Sequence, residues 1–461
     1  MTDVENLPSP YLTGPWEPIA TESTIAGLVV TGDLPDALQG TYIRNGPNPA
    51  FDPIGRYHLF DGDGMVHGVE LRDGSAAYRN RYVRSSGLEA ERRAGRALFG
   101  GLSEFRPPDP DVIAEVGLIK NTANTSVIHH AGRLLALMEA APPTELTAEL
   151  DTIGEWDFAG QLAGPMTAHP KVDPITGELC FFGYSPFPPH VRFHVADRSG
   201  TLTATVPVDL PRPVMMHDFA VSSGRVAFFD LPAVFDLDAM LSGAPGIRWE
   251  PEAGARIGVL DRLAPHAGVR WVEVEPFFMF HVLNAWDDGD VIVVEGCRSA
   301  RLNTSFGPDS LGEAVTPTLH RWRIDAAAGT VQEEALDDRP GDFPRVNDDR
   351  AGQRTRYGYV GRTRHWTETD ASFDGVVKHD FDTGSSITHR YGPTTVTGEA
   401  LFVADPKRPT EDGGWLLNLV HDPERGSSLV VLDAEVMEEV ARVHIPVRVP
   451  SGFHGTWIPA D

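Results

Sequence analysis

The chain has 461 residues, 41% of them hydrophobic and 23% charged, which excludes a disordered tail and leaves room for two or three ordinary domains or one large all-β domain. A formal net charge of −27 repels phosphate backbones and anionic lipid, so no nucleic-acid partner is expected, and the plain use of the charge is solubility. No run of about 18 uncharged apolar residues is long enough to span a membrane as a helix.

From the N-terminus, MTDVENLPSPYLTGPW is acidic and proline-rich and lacks the basic and apolar regions of a signal peptide. The clearest helical pattern is LEAERRAGRALFGGL (88–102), with a second, short apolar helix expected in PAVFDLDAMLSG (232–243). Most of the chain reads differently. Short apolar runs recur between Gly, Asp and Pro: GRLLALME (132–139), GELCFFGYS (177–185), GRVAFFDL (224–231), DVIVVEGC (290–297), GWLLNLVHD (414–422) and SSLVVLDAE (427–435). Runs of that length with those bounds are antiparallel strands.

Strand–turn–strand units repeat. TAHPKVDPITGELCFFGYS turns at DPITG, HDFAVSSGRVAFFDL at SSG and FHVLNAWDDGDVIVVEGC at DDGD, and FVADPKRPTEDGGWLLNLVHD turns through a longer loop. An all-β chain with such repetition is most simply a seven-bladed β-propeller, a single domain over 1–461, with a few short helices in inter-strand insertions capping one face. Seven blades give about 65 residues each, above the usual 40–50, so long insertions are expected. The two cysteines, Cys180 and Cys297, lie in apolar runs. Buried free thiols suit a reducing cytoplasm, and the chain is expected to be cytoplasmic.

Of the 17 histidines, four share a context. His169 in MTAHPK, His217 in MMHDF, His281 in MFHVLNAW and His454 in GFHGTW each stand at or just before a strand start. In a propeller, strand starts from different blades can converge on the central axis. Imidazole suits iron, zinc, copper or nickel. The closely spaced Cys/His pattern of structural zinc is absent, and no His-X-Asp/Glu triad of the two-histidine, one-carboxylate oxygenases is convincing. The ordinary alternative for each histidine is a hydrogen-bonded core or surface residue.

Motifs along nearly the whole chain resemble the carotenoid cleavage oxygenase family, which also holds lignostilbene dioxygenases and the retinal pigment epithelium isomerase. They are LPDALQGTYIRNGPNPAF (34–51), YHLFDGDGMVHGVEL (57–71), TANTSVIHHAGRLLALMEAAPPTEL (122–146), the four histidine contexts and GEALFVADP (398–406). The resemblance implies a seven-bladed propeller and one Fe(2+) per chain on its axis, held by His169, His217, His281 and His454. It also implies O2-dependent cleavage of a C=C bond to two carbonyls. The family's three outer glutamates, which orient ligand imidazoles, correspond to Glu139, Glu399 and a position where this chain has Asp342 in GDFPR. Asp is one methylene shorter than Glu, so either the backbone approaches more closely or a water bridges.

The substrate implied is a hydrophobic alkene. Phe51 and Phe280 are candidate tunnel walls, and FDLPAVFDLDAMLSGAP (229–245) offers an apolar lip for weak peripheral membrane contact, or simply a helix packed on the propeller. The lignostilbene branch grips a phenol with a Lys directly before the first outer Glu and with an upstream Tyr. Here Met138 takes the Lys position, and SSGLEAE has no Tyr. That favours a carotenoid or apocarotenoid, with a stilbenoid or phenylpropene second. A non-catalytic binding propeller is the reading of another class.

Overall fold

Leu179–Tyr184 buries all six of its side chains, whereas in Ser75–Tyr82 buried and more exposed residues alternate. The first reads as a strand covered on both faces and the second as a strand with one wet face. Strands of both kinds build the molecule. The computed structural model describes residues 9–302, 316–363 and 372–460, so the first eight residues of the acidic N-terminus lie outside the described residues.

Every paired strand is antiparallel to its neighbour, in sheets that follow the chain. Four-stranded meanders run from Ser126–His130 to Thr152–Glu155, from Lys171–Val172 to Leu202–Val208, and from Phe278–Asp288 to Thr330–Ala335. Another joins Ala220–Val221, Arg225–Asp230, Ala255–Asp261 and Arg270–Val274, with the small pair Ala233–Phe235 and Ile247–Trp249 inserted in it. A ten-stranded sheet consists of two meanders, Gly341–Arg345 to Ser385–Arg390 and Leu401–Ala404 to Glu438–Ile445, joined where Val396–Thr397 pairs with both. The ends of the chain interlock twice. Val29–Gly32 adds to Glu438–Ile445, and Gly455–Pro459 adds to Gly40–Arg44 in the five-stranded sheet that also holds Met65–Arg72 and Ser75–Tyr82.

The strand–turn–strand units lie where the turn residues put them. At DPITG the Asp173 carboxylate accepts from Ile175 N and Thr176 N, and Lys171–Val172 pairs with Leu179–Tyr184. At DDGD, Gly289 takes φ 62°, which a residue with a Cβ rarely adopts, and Phe278–Asp288 folds back onto Val291–Ser299. Cys180 and Cys297 are free and buried.

The helices differ from expectation. The one read over 88–102 is α1, Ser86–Ala94. Ser85 caps its start, and Gly95 at φ 68° ends it by donating to the last-turn carbonyls, so the periodicity beyond Gly95 belongs to a loop. A second helix, α2 (Pro110–Val116), was not anticipated. The region 232–243 opens as the strand Ala233–Phe235, and only Leu237–Leu241 (α3) is helical, capped by Asp236.

Candidate metal centre

The four histidines stand in or just before edge strands of four different sheets. His169 stands two residues before Lys171–Val172, His217 three before Ala220–Val221, His281 inside Phe278–Asp288 and His454 one before Gly455–Pro459. Their imidazoles meet. The His169 ring centroid lies 4.5 Å from that of His217, 4.9 Å from His281 and 4.6 Å from His454. His281 is 5.1 Å from His217 and 4.8 Å from His454. His169, His217 and His281 can offer one nitrogen each, all within 4.8 Å of one another, and the His454 ring packs on two of the three.

Three of the rings are held from behind. His217 Nδ1 is 2.7 Å from Glu139 Oε2, His281 Nδ1 is 2.9 Å from Asp342 Oδ1, and His454 Nδ1 is 3.0 Å from Glu399 Oε1. A carboxylate at Nδ1 fixes the tautomer with its proton there and leaves Nε2 as a lone-pair donor. The Nε2 atoms face inward: those of His169 and His217 are 2.9 Å apart, and that of His281 is buried with no hydrogen-bond partner among the described residues. His169 has its backbone N–H on Thr167 Oγ1, whose hydroxyl donates to His217 O, so the two loops are tied together.

Asp342 reaches His281 directly. A β-bulge falls between Asp342 and Arg345 in the pairing with Tyr357–Thr363, and Phe343 adopts φ 53°. Such a bulge can re-aim a side chain, and here the shorter Asp342 still makes the contact. Opposite Asp342 stands Gly361, where a Cβ would lie 2.9 Å from Asp342 O. The close approach therefore requires glycine there. The shorter side chain meets the imidazole directly at 2.9 Å.

Charge at the site follows burial. Burial, then the neighbouring imidazoles, push His169 well below the usual histidine range. Burial lowers His454 to about 4, although Glu399 opposes it. Burial also works against a charged His217, but Glu139 outweighs it and the shift is upward. Burial pushes Glu399 up, but Arg345, 3.6 Å away, and His454 overcome it and hold the carboxyl at about 2. Glu399 also accepts from Gly455 N at 3.0 Å. A set of inward-facing imidazoles, three of them backed by a carboxylate at Nδ1, fits a divalent metal ion of the imidazole-binding group.

The family model described as retinal pigment epithelial membrane protein matches residues 16–459. The carotenoid cleavage oxygenase of Mycobacterium tuberculosis is 37% identical over 98% of this chain and 98% of its own length. The chain belongs to the carotenoid cleavage oxygenase family. Isoeugenol monooxygenase of Pseudomonas nitroreducens is 33% identical over 98% of this chain and 99% of its own. The crystal structure of Pseudomonas brassicacearum lignostilbene dioxygenase superposes with a TM-score of 0.90 at 30% identity, covering 99% of this chain and 100% of that one. This carotenoid cleavage oxygenase relative is thus an oxygenase enzyme, and the binding-only reading is not favoured.

The expected pocket residues separate. Phe280 packs edge-on to His217 at 5.1 Å and is 6.0 Å from His281. Phe51 instead packs against Met65, Tyr82 and Leu88 of α1. Met138 is half-buried beside Glu139, and its sulfur accepts the Ala140 N–H at 3.0 Å. Sequence reasoning missed Phe343, whose ring lies 4.6 Å from His454 and 5.2 Å from His281. Its only mark in the sequence is that it directly follows Asp342.

Proposed function

We propose that this oxygenase binds one Fe(2+) per chain through His169, His217, His281 and His454 and cleaves a C=C bond of a carotenoid or apocarotenoid. The observation that carries this reading is the three Nδ1–carboxylate contacts, which leave Nε2 as the lone-pair donor of each ring, with His169 and His217 Nε2 only 2.9 Å apart and His281 Nε2 without a partner among the described residues. Ferrous iron, when bound, supplies electron transfer to O2, which redox-inert zinc does not. The overall reaction, one alkene plus one O2 giving two carbonyls, balances without an outside reductant. Glu139, Asp342 and Glu399 hold the ligand rings in their tautomers. Phe280 and Phe343 give the imidazoles apolar neighbours that exclude water and suit an alkene.

The scaffold we infer is a seven-bladed β-propeller. Its support is the strand count: the five-stranded sheet, four four-stranded meanders and the two halves of the ten-stranded sheet make seven groups, and the interlocking termini close the ring. One domain and a reducing, cytoplasmic compartment agree with this and with the two free thiols. The exposed Phe187 and Leu241, 67% and 61% accessible, support weak peripheral contact with lipid. No helix among the described residues is long and apolar enough to cross a membrane.

A stilbenoid or phenylpropene substrate is the second reading, favoured by the named activities of the isoeugenol and lignostilbene relatives. Against it stands Met138, whose thioether is a weak acceptor already occupied by Ala140 N–H. The test is to load the enzyme with Fe(II) under anaerobic conditions, admit O2 and weigh the products from carotenoids, apocarotenals, stilbenes and vinylphenols. Paired carbonyl fragments from an apocarotenal are expected. Turnover of aryl alkenes alone would move the assignment to the second reading.

A further inference from the structure

Arg44 is a buried cation with no acid beside it. It ends the strand Gly40–Arg44, is only 3% exposed, and has no carboxylate within 4 Å among the described residues. One terminal nitrogen donates to Pro450 O, while Nε is buried with no partner. Its other neighbours carry no compensating charge. His67 is held neutral by burial, and the phenols of Tyr42 and Tyr78 are kept protonated by theirs. Arginine does not give up its proton in such a setting, although burial works against its charge. A buried charge without a partner is costly enough that proteins supply one.

The structure has a place for one. Arg44 lines a small cavity with Thr397, Leu419, His421, Val449 and Ser451. It has about 10 Å³ of room for the centre of a water-sized particle, so it takes a single small ion and excludes a carboxylate-bearing molecule. The guanidinium is clamped in position: a Cβ on Gly452 would lie 2.7 Å from Arg44 Nε, so the Pro450–Gly452 backbone passes directly over it. We propose that this cavity binds one small monovalent anion of chloride size, which neutralises Arg44 at the seam where the two ends of the chain meet.

The position gives the anion a structural role. Arg44 pairs in register with Gly455, and the next residue, Asn45, donates its N–H to His454 O. The Pro450–Ser451 segment that borders the cavity leads straight into Gly452–His454. Anion binding therefore favours the closed seam that carries His454.

The experiment uses the whole protein at constant ionic strength, with sodium chloride or bromide compared against sodium gluconate, whose anion is too large for the cavity. The melting temperature is expected to be higher by about 1–2 °C when halide exceeds its dissociation constant roughly tenfold. Crystals grown in bromide should show an anomalous peak within hydrogen-bonding reach of the Arg44 guanidinium, and Arg44→Met should lose both the peak and the halide effect. The wild-type series and map decide the matter whether or not that variant folds. Equal melting temperatures in halide and gluconate, a cavity holding only water, or bromide peaks confined to the surface would overturn the proposal.

Discussion

Glu399 is engaged on three sides: His454 Nδ1 and Gly455 N donate to it, and Arg345 stands 3.6 Å behind. Replacing it by Gln keeps the shape but removes the charge that orients the ring. Glu399→Gln is expected to weaken Fe(II) retention about 10–100-fold, measured by competition with a chelator; unchanged retention and turnover would count against the assignment. Met138 makes the opposite kind of prediction. With no ammonium there to hold a hydroxyl, a stilbene methyl ether should be cleaved at least as well as the matched 4-hydroxystilbene. If only the free phenol turns over, another residue provides the grip. The four histidines were legible because they share a strand-start context, whereas Glu139, Asp342 and Glu399 were legible only through the family resemblance, since by themselves they read as loop charges. Phe343 was not, because its place among the rings depends on a positive φ and a bulge, which a run of letters does not display. Phe51 packs against Met65, Tyr82 and Leu88, and an aromatic beside a motif does not by itself show what it faces.

Among elements, the bulged strand Gly341–Arg345 carries the most local constraint. Its approach to His281 depends on Gly361, where a Cβ would meet both Asp342 O and the Phe373 ring at 2.9 Å. Gly361→Ala should destabilise the protein by about 1–3 kcal/mol, the usual cost of overpacking. It should also loosen iron binding, because the strand can relieve the clash only by moving Asp342. Denaturant unfolding and metal retention measured on one preparation check both, and a variant as stable and as well loaded as the parent would contradict the bulge argument. The strands were readable from their apolar runs and turn residues, as in DPITG and DDGD. Helix ends were less so. Gly95 lies inside the helical pattern of Leu88, Arg92, Leu98 and Phe99, and its φ of 68° shows that the helix stops there; Ala233–Phe235 takes strand form because Ile247–Trp249 pairs with it. The helix stop is a local αL cap, whereas the strand is set by a partner beyond the local window.

At the scale of the whole molecule, closure is the feature least visible in the sequence. Val29–Gly32 pairs with Glu438–Ile445, some 400 residues away, and no local pattern announces that. Stability of the closed molecule should depend on pH in a definite direction. His194 and His379 are 3% and 6% exposed, and burial lowers each to about 4. Unfolding restores a value near 6.5, so the unfolded chain binds more protons between these limits. Stability is therefore full above about pH 6.5 and falls as pH drops towards 4, by up to about 2.7 kcal/mol per pH unit for the two together. A urea midpoint that is the same at pH 7 and pH 5 would exclude this. The central claim is the metal centre itself, one ferrous ion on four imidazoles drawn from four sheets. Its most direct test is iron X-ray absorption on the Fe(II)-loaded enzyme, with the metal counted on the same sample. One iron per chain and a shell of four imidazole nitrogens at about 2.0–2.2 Å are expected. Iron well below one per chain, or a shell of carboxylate oxygens in place of the histidines, would contradict the account.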